Sequence, residues 1–205
     1  MYLKKVNKIF IVHYSKLAER KNYLEKTVNN LNIDNDIMWI NFFDRENINE
    51  EIINKYFKNT RKLNKAQITT SIAHRYIYEY IEEYNIQNSL ILEDDVVFFD
   101  DFVNLFNKYF KFFPKDYDII HIGKYADSCK PKKKPYKNKY FIKTNNNKAV
   151  GSYLVSLSGA KKINKHKLEN VIDHDLNKDN LNIYWLKQPI TQQGSKIGKF
   201  KCSIK

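Results

Sequence analysis

The stretch whose reading decides the fold is "SLILEDDVVFFDDF", residues 89–102. Four residues suited to a buried strand run directly into Glu93, Asp94 and Asp95. Four apolar residues follow, then Asp100 and Asp101. A short, continuously apolar run bounded by charge predicts a strand buried on both faces, as in a parallel sheet. Open α/β sheets bind ligands outside the carboxyl ends of their strands, and the acidic triplet sits at such an end. In extended backbone, residues two apart point the same way, so Glu93 and Asp95 converge while Asp94 faces the other side. Carboxylates brought together repel unless a proton or a cation intervenes. Hard cations such as Mn²⁺ or Mg²⁺ commonly use one or two carboxylates together with substrate phosphates. On local sequence alone, a metal-bound diphosphate site and a solvated strand end both stay open. Asp100 and Asp101 read as the start of the next helix, with Asp101 as its cap.

Working outward, strands and helices alternate. "KIFIVH" (8–13) predicts a first strand, with Ser15 placed to cap a helix in which Leu17, Leu24, Val28 and Leu31 recur at helical spacing. "DIMWIN" (36–41) reads as a second strand and "INEEIINKYF" (48–57) as a short helix. Between Gln67 and Tyr84, the residues Ile68, Ile72, Tyr76, Ile77, Tyr80 and Ile81 line one helical face and deliver the chain to the acidic strand. Beyond it come a helix over 101–113 stopped by Pro114, strands in "YDIIHIG" (117–123) and "AVGSYLVS" (149–156), a short helix in "LSGAKKINKH", and a last strand in "NIYWLK" (182–187). "QQGSKIGKFKCSIK" reads as loop or tail. The pattern predicts an α/β fold with a mainly parallel central sheet flanked by helices. With no internal repeat and no linker, residues 1–205 read as a single domain.

Composition bounds the function. The chain has 205 residues, 42% hydrophobic and 15% aromatic, enough apolar surface for a full core. The N-terminal residues show no signal peptide and no run reaches the roughly 20 apolar residues that span a bilayer. Cys129 and Cys202 lack the spacing of a zinc site or a disulfide framework, which fits a cytoplasmic setting. The net charge of +13 suggests a polyanionic partner. Abundant Asn, Lys, Ile and Tyr with scarce Arg and Gly are the bias of an AT-rich genome, however, and this weakens the nucleic-acid reading.

"NSLILEDDVVF" resembles the segment around the Leu-Glu-Asp-Asp motif of glycosyltransferase family 25, which includes lipooligosaccharide and collagen hydroxylysine galactosyltransferases. The resemblance extends in order along most of the chain. "IFIVHYSKLAERKNYLEKTVNNLNI" is similar to the family's opening strand and Arg-containing helix, and "QITTSIAHRYIYEYIEEYN" to the helix before the acidic motif. "GSYLVSLSGAKKI", "IDHDL" and "PITQQGS" resemble its later blocks. The sequence departs from the family at Gln67, where Glu is usual, at Ala73, where a Ser precedes the helical His, and at His13, which replaces an Asn.

The resemblance implies a GT-A type nucleotide-diphospho-sugar transferase fold and inverting transfer of galactose or glucose from a UDP-sugar to a hydroxyl on a glycan or protein. It implies Mn²⁺ or Mg²⁺ as cofactor. Glu93 and Asp95 are the candidate metal–diphosphate carboxylates, and Asp94 contacts ribose or stabilises the loop. In the cluster Asp173, His174, Asp175, the implied base is Asp173 and the implied third metal ligand His174; a solvated helix end is the alternative. His74 is a candidate catalytic residue from the helix before the acidic strand, or a core histidine. Arg20 reaches a nucleotide phosphate or pairs on the surface. His13 stands at the first strand end, among the candidate donor contacts. Gly151 and Tyr153 shape the pocket, unless the glycine marks a bulge. Gln192, Gln193 and Ser195 contact donor or acceptor, or belong to a polar tail. The Lys-rich "KPKKKPYKNKY" offers peripheral contact with a membrane surface or an anionic acceptor, or is a solvated loop. The alternatives to an active enzyme are a catalytically weakened relative that binds glycans and a basic nucleic-acid-binding protein. Oligomeric state is not encoded in any feature of the sequence.

Overall fold

The computed structural model describes residues 3–33, 35–60, 62–124, 138–144 and 149–203. The strands in chain order are β1 (Lys8–Val12), β2 (Ile37–Ile40), β3 (Asn88–Glu93), β4 (Val96–Phe98) and β5 (Ile119–His121). They continue with β6 (Gly123–Lys124), β7 (Phe141–Thr144), β8 (Ser152–Ser156), β9 (Ile183–Leu186) and β10 (Thr191–Gln193). The helices are α1 (Ala18–Asn30), α2 (Glu50–Tyr56), α3 (Lys65–Glu83), α4 (Phe102–Phe110), α5 (Leu157–Ile163) and α6 (Ile172–Asp175).

Seven strands form the main sheet in the order β2-β1-β3-β8-β5-β9-β7. Pairing is parallel for β1 with β2 and β3 and for β5 with β9, and antiparallel where β8 meets β3 and β5 and where β7 meets β9. Five of the seven strands therefore run the same way, and β3, with its acidic end, stands in the interior of the sheet. A second sheet, β4-β10-β6, joins residues just beyond β3 to the C-terminal part of the chain.

Strand alternation divides the core into two layers. Phe10, Ile91, Tyr153, Val155, Ile119 and Ile183 pack against α2, α3, α5 and α6. Their neighbours Ile11, Leu90, Leu154, Ile120 and Tyr184 pack against α1 and α4. Burial on both faces explains why β1, β3 and β5 lack a polar alternation. Helix α3 is set by a capping box, in which Asn64 accepts from the Gln67 N–H and the Gln67 side chain accepts from the Asn64 N–H. It ends where Asn85 takes a positive φ of 51°. Gln67 thus has a structural role whatever else it does.

Several expectations are corrected. Ser15 does not cap α1; its N–H donates to Asp44 and its hydroxyl to the Asn41 carbonyl. Asp101 occupies the cap position of α4, but its side chain makes no bond to the helix backbone and accepts instead from the Asn104 amide. The strands β4, β7 and β10 were unanticipated. The largest correction concerns the C-terminal stretch. Residues 191–193 form a strand, and residues 194–203 fold back onto the end of β3, with Phe200 buried. Most of the Lys-rich stretch, residues 130–137, lies outside the described residues, as does Cys129, so the membrane-contact reading falls largely outside them too. Among the described residues no helix is long and apolar enough to cross a membrane.

Candidate functional site

A cavity of about 520 Å³ opens at the carboxyl ends of β1, β2 and β3 and is closed on one side by the C-terminal segment. Glu93 is the last residue of β3, paired in register with Val12 of β1. Its side chain follows the parity of Ile91 toward the α3 layer, where Gln193 Nε2 donates to Oε2 at 3.0 Å and His74 Nε2 lies 3.7 Å from Oε1. Asp94 points to the opposite layer, as alternation dictates. There it accepts from Arg20 Nη1 at 2.5 Å, from the Tyr14 N–H at 3.2 Å, and faces His13 Nδ1 at 2.9 Å. Asp94 and Asp95 form the turn between β3 and β4, so the extended geometry that would align Asp95 with Glu93 ends at Glu93 itself.

Asp95 nonetheless faces the cavity. One oxygen accepts from the Ser195 hydroxyl and from its N–H, while Oδ1 is buried without a hydrogen-bond partner among the described residues. Burial first, then the charge of Glu93, pushes its carboxyl up from 3.8 to about 6. The turn is held from the C-terminal segment, since the Gly194 N–H donates to the Asp95 carbonyl at 2.6 Å. A side chain at Gly194 would place its Cβ 2.5 Å from the Phe200 ring and 3.0 Å from that carbonyl, so close packing there requires glycine.

The raised carboxyl makes a prediction about stability. A group that binds protons more tightly when folded destabilises the fold above its folded value, and the penalty disappears as pH falls toward the unfolded value. A rise from 3.8 to about 6 corresponds to a penalty on the order of 3 kcal/mol at pH 8. Asp95→Asn therefore raises the melting temperature of the metal-free protein at pH 8 by roughly 6–12 °C. The gain shrinks as pH falls through about 6 and is mostly gone by about pH 4. Thermal melts of both proteins from pH 4 to 8 check it; a constant difference refutes the assignment.

The remaining residues are placed as follows. Arg20 is buried, its guanidinium bridging Asp94 and the Lys201 carbonyl, so it locks α1 to the acidic turn and the C-terminal segment. Asp173 and His174 of α6 line the cavity. Burial, with Glu93 adding and His174 opposing, holds the Asp173 carboxyl above its ordinary value. His174 is exposed. Among the described residues no group of three His, Cys, Asp or Glu side chains is arranged to hold a metal ion, so the expected trio of Glu93, Asp95 and His174 is not assembled as one.

Four expected site residues do not line the cavity. His74 and Tyr153 are fully buried beneath it and hydrogen-bonded to each other. Gly151 lies behind Gln193, where a Cβ would come within 3.0 Å of its amide, and its carbonyl accepts from the Glu93 N–H at 2.9 Å. Gln192 alternates away along β10, and it is Gln193 that reaches Glu93.

Sequence reasoning missed two cations in the cavity wall. Arg45 stacks on Tyr14 at 4.3 Å and donates to the Ser203 carbonyl at 3.1 Å, leaving a buried Nε without a partner among the described residues. Lys196 stands beside the segment that holds Asp95. Neither carries a motif. Their only sequence signal is position, in loops that follow the end of β2 and β10.

A buried Asp95 beside a partly exposed Glu93, with one Asp95 oxygen unpartnered among the described residues, fits a hard divalent cation, which takes a few carboxylate oxygens and completes its shell with phosphates and water.

The family model described as Glycosyltransferase family 25 (LPS biosynthesis protein) matches residues 6–181. No curated protein matches the chain. Among solved structures, A197 from STIV aligns with a TM-score of 0.50 at 13% identity, covering 88% of this chain and 82% of its own. The galactosyltransferase LgtC in complex with donor and acceptor sugar analogues aligns with a TM-score of 0.47 at 16% identity, over 87% of this chain and 72% of its own. For mouse xyloside xylosyltransferase 1, apo form, the values are 0.36 and 10%, over 85% and 71%. At such identity the first shows a shared fold alone, and the other two are too distant to add to it.

Proposed function

Because the chain belongs to glycosyltransferase family 25, we propose that it transfers galactose or glucose from a UDP-sugar to a hydroxyl of a glycan or protein, with inversion and with a divalent cation bound at Glu93 and Asp95. It is a glycosyltransferase with an α/β fold of the GT-A type. The observation that carries the finer reading is the unpartnered Oδ1 of Asp95, buried in the cavity beside Glu93 at the carboxyl end of a central strand.

When bound there, Mn²⁺ or Mg²⁺ offsets the negative charge that develops on the UDP leaving group. Arg45 and Lys196 supply further positive charge to the diphosphate, a role for which Arg45 has a buried Nε–H unpartnered among the described residues. Asp173 takes the acceptor hydroxyl proton as the new C–O bond forms and the bond to UDP breaks; burial, which holds its carboxyl above the ordinary value, makes it a stronger base than a solvated carboxylate. His13 and Arg20 hold Asp94, and through it the backbone of the acidic turn, in register for the other two acids. The Lys-rich stretch and the exposed Cys202 fit a cytoplasmic enzyme working on an anionic or membrane-borne acceptor.

A panel of UDP-sugars, with and without Mn²⁺, tests the proposal by UDP release and by thermal shift. One hexose donor is expected to release UDP only with the cation present. Thermal shift without UDP release identifies a nucleotide-binding relative without turnover, and silence for every donor sinks the proposal.

A further inference from the structure

Beneath the cavity lies a polar chain that the reaction itself does not need. Tyr78 and His74 project from α3, and Tyr153 from β8; all three are completely buried. The Tyr78 and Tyr153 hydroxyls are 2.5 Å apart, and the Tyr153 hydroxyl is 2.9 Å from His74 Nδ1. The far nitrogen of His74, Nε2, has no hydrogen-bond partner among the described residues, and the polar group it faces is Glu93 Oε1 at 3.7 Å. Buried polar groups in native proteins are almost always paired, so an orphan aimed at a functional carboxylate needs an explanation.

Electrostatics selects the tautomer. If Nδ1 carried the proton, the Nε2 lone pair would face a carboxylate at 3.7 Å, an acceptor against an acceptor. With the proton on Nε2, every contact in the chain is donor to acceptor. The Tyr78 hydroxyl donates to Tyr153, the Tyr153 hydroxyl donates to Nδ1, and Nε2–H points at Glu93. The remaining gap exceeds a hydrogen bond by about 0.5–1 Å, which a rotation of the partly exposed Glu93 carboxylate closes. Gln193 already donates to the other oxygen of Glu93.

We propose that His74 is a positioning residue for Glu93, its Nε2–H fixing one carboxylate oxygen from below while Gln193 fixes the other, so that the free lone pairs face the cavity. The proposal rests on the reading of Glu93 as a cation-holding carboxylate. It also accounts for the place of His74, which touches no cavity surface and acts only through Glu93. Donors that orient a ligating carboxylate or imidazole from behind typically change metal affinity by about 10–100-fold.

The test uses Mn²⁺-dependent binding of UDP, measured by calorimetry, and the imidazole ¹⁵N shifts of His74 in the metal-free protein. His74→Ala is expected to raise the Mn²⁺ midpoint at least tenfold. His74→Gln, whose amide reaches toward the same point as Nε2, recovers most of the loss. Glu93→Ala removes the Mn²⁺ dependence. The ¹⁵N spectrum shows Nε2 protonated and Nδ1 bare. A wild-type midpoint in His74→Ala, with Glu93→Ala defective, overturns the positioning role and leaves the cation reading standing. A wild-type Mn²⁺ dependence in Glu93→Ala overturns the cation reading, and the positioning role with it. If His74→Ala does not fold, the tautomer decides, because a proton on Nδ1 is incompatible with the relay.

Discussion

Replacing Glu93 and Asp95 together by alanine lowers UDP release by about 10³-fold or more, while the metal-free protein melts at the same or a higher temperature than wild type. The two halves of this result have one cause. The two acids meet at the cavity, where burial first and the charge of Glu93 second raise the carboxyl of Asp95, and one oxygen of Asp95 has no partner among the described residues. Such an arrangement opposes folding when nothing binds there. On the proposed function the pair would hold a cation, which would offset the charge developing on the diphosphate in the transition state. That stabilisation amounts to several kcal/mol, and each 1.36 kcal/mol is about tenfold in rate. UDP release with Mn²⁺ and thermal melts with a chelator measure the two halves. Wild-type turnover in the double variant refutes the site, and a large drop in melting temperature shows that the pair is structural.

Asp94→Ala gives the opposite pattern, destabilising the protein by about 3–5 kcal/mol. Asp94 is the buried partner of Arg20 at 2.5 Å and also faces His13 and the Tyr14 N–H. Removing it leaves a guanidinium buried with, among the described residues, only the Lys201 carbonyl to accept from it, and breaking one half of a buried pair costs more than the pair contributes. For a chain of this size the melting temperature falls by roughly 10 °C. Replacing both partners by apolar residues, Arg20→Met with Asp94→Leu, recovers much of the loss, because no charge remains buried without a partner. Urea titrations of the single and double variants measure the recovery. Additive losses would show that the two side chains are energetically independent, contrary to the geometry.

The alternation of charge and apolar surface at residues 89–102 led to the right strand and the right end of it, because burial on both faces leaves a compositional mark. The same logic correctly separated Glu93 from Asp94 by layer. It failed at Asp95, since strand parity holds only while the backbone stays extended, and nothing in Glu-Asp-Asp signals a turn after the first acid. The strands β4 and β10 are three residues each and gain their structure from pairing with one another and with β6, so local pattern had little to report. Gly194 and Phe200 looked like a polar tail because lysines surround them; that a ring packs on the glycine is a long-range fact. His74 and Tyr153 were singled out through family resemblance, which marks a position as special without distinguishing a residue that touches substrate from one that stands behind it. Arg45 and Lys196 escaped notice because a single cation in a loop looks the same whether or not it faces a cavity.

The return of residues 191–203 to the end of β3 also sets a clock. Gln193 bonds to Glu93 across 100 residues of chain. At typical rates of protein synthesis, about 5–20 residues per second, the acids are made roughly 5–20 s before the strand that completes their pocket. A nascent chain thus carries the acidic cluster for seconds before the strand that walls it is made.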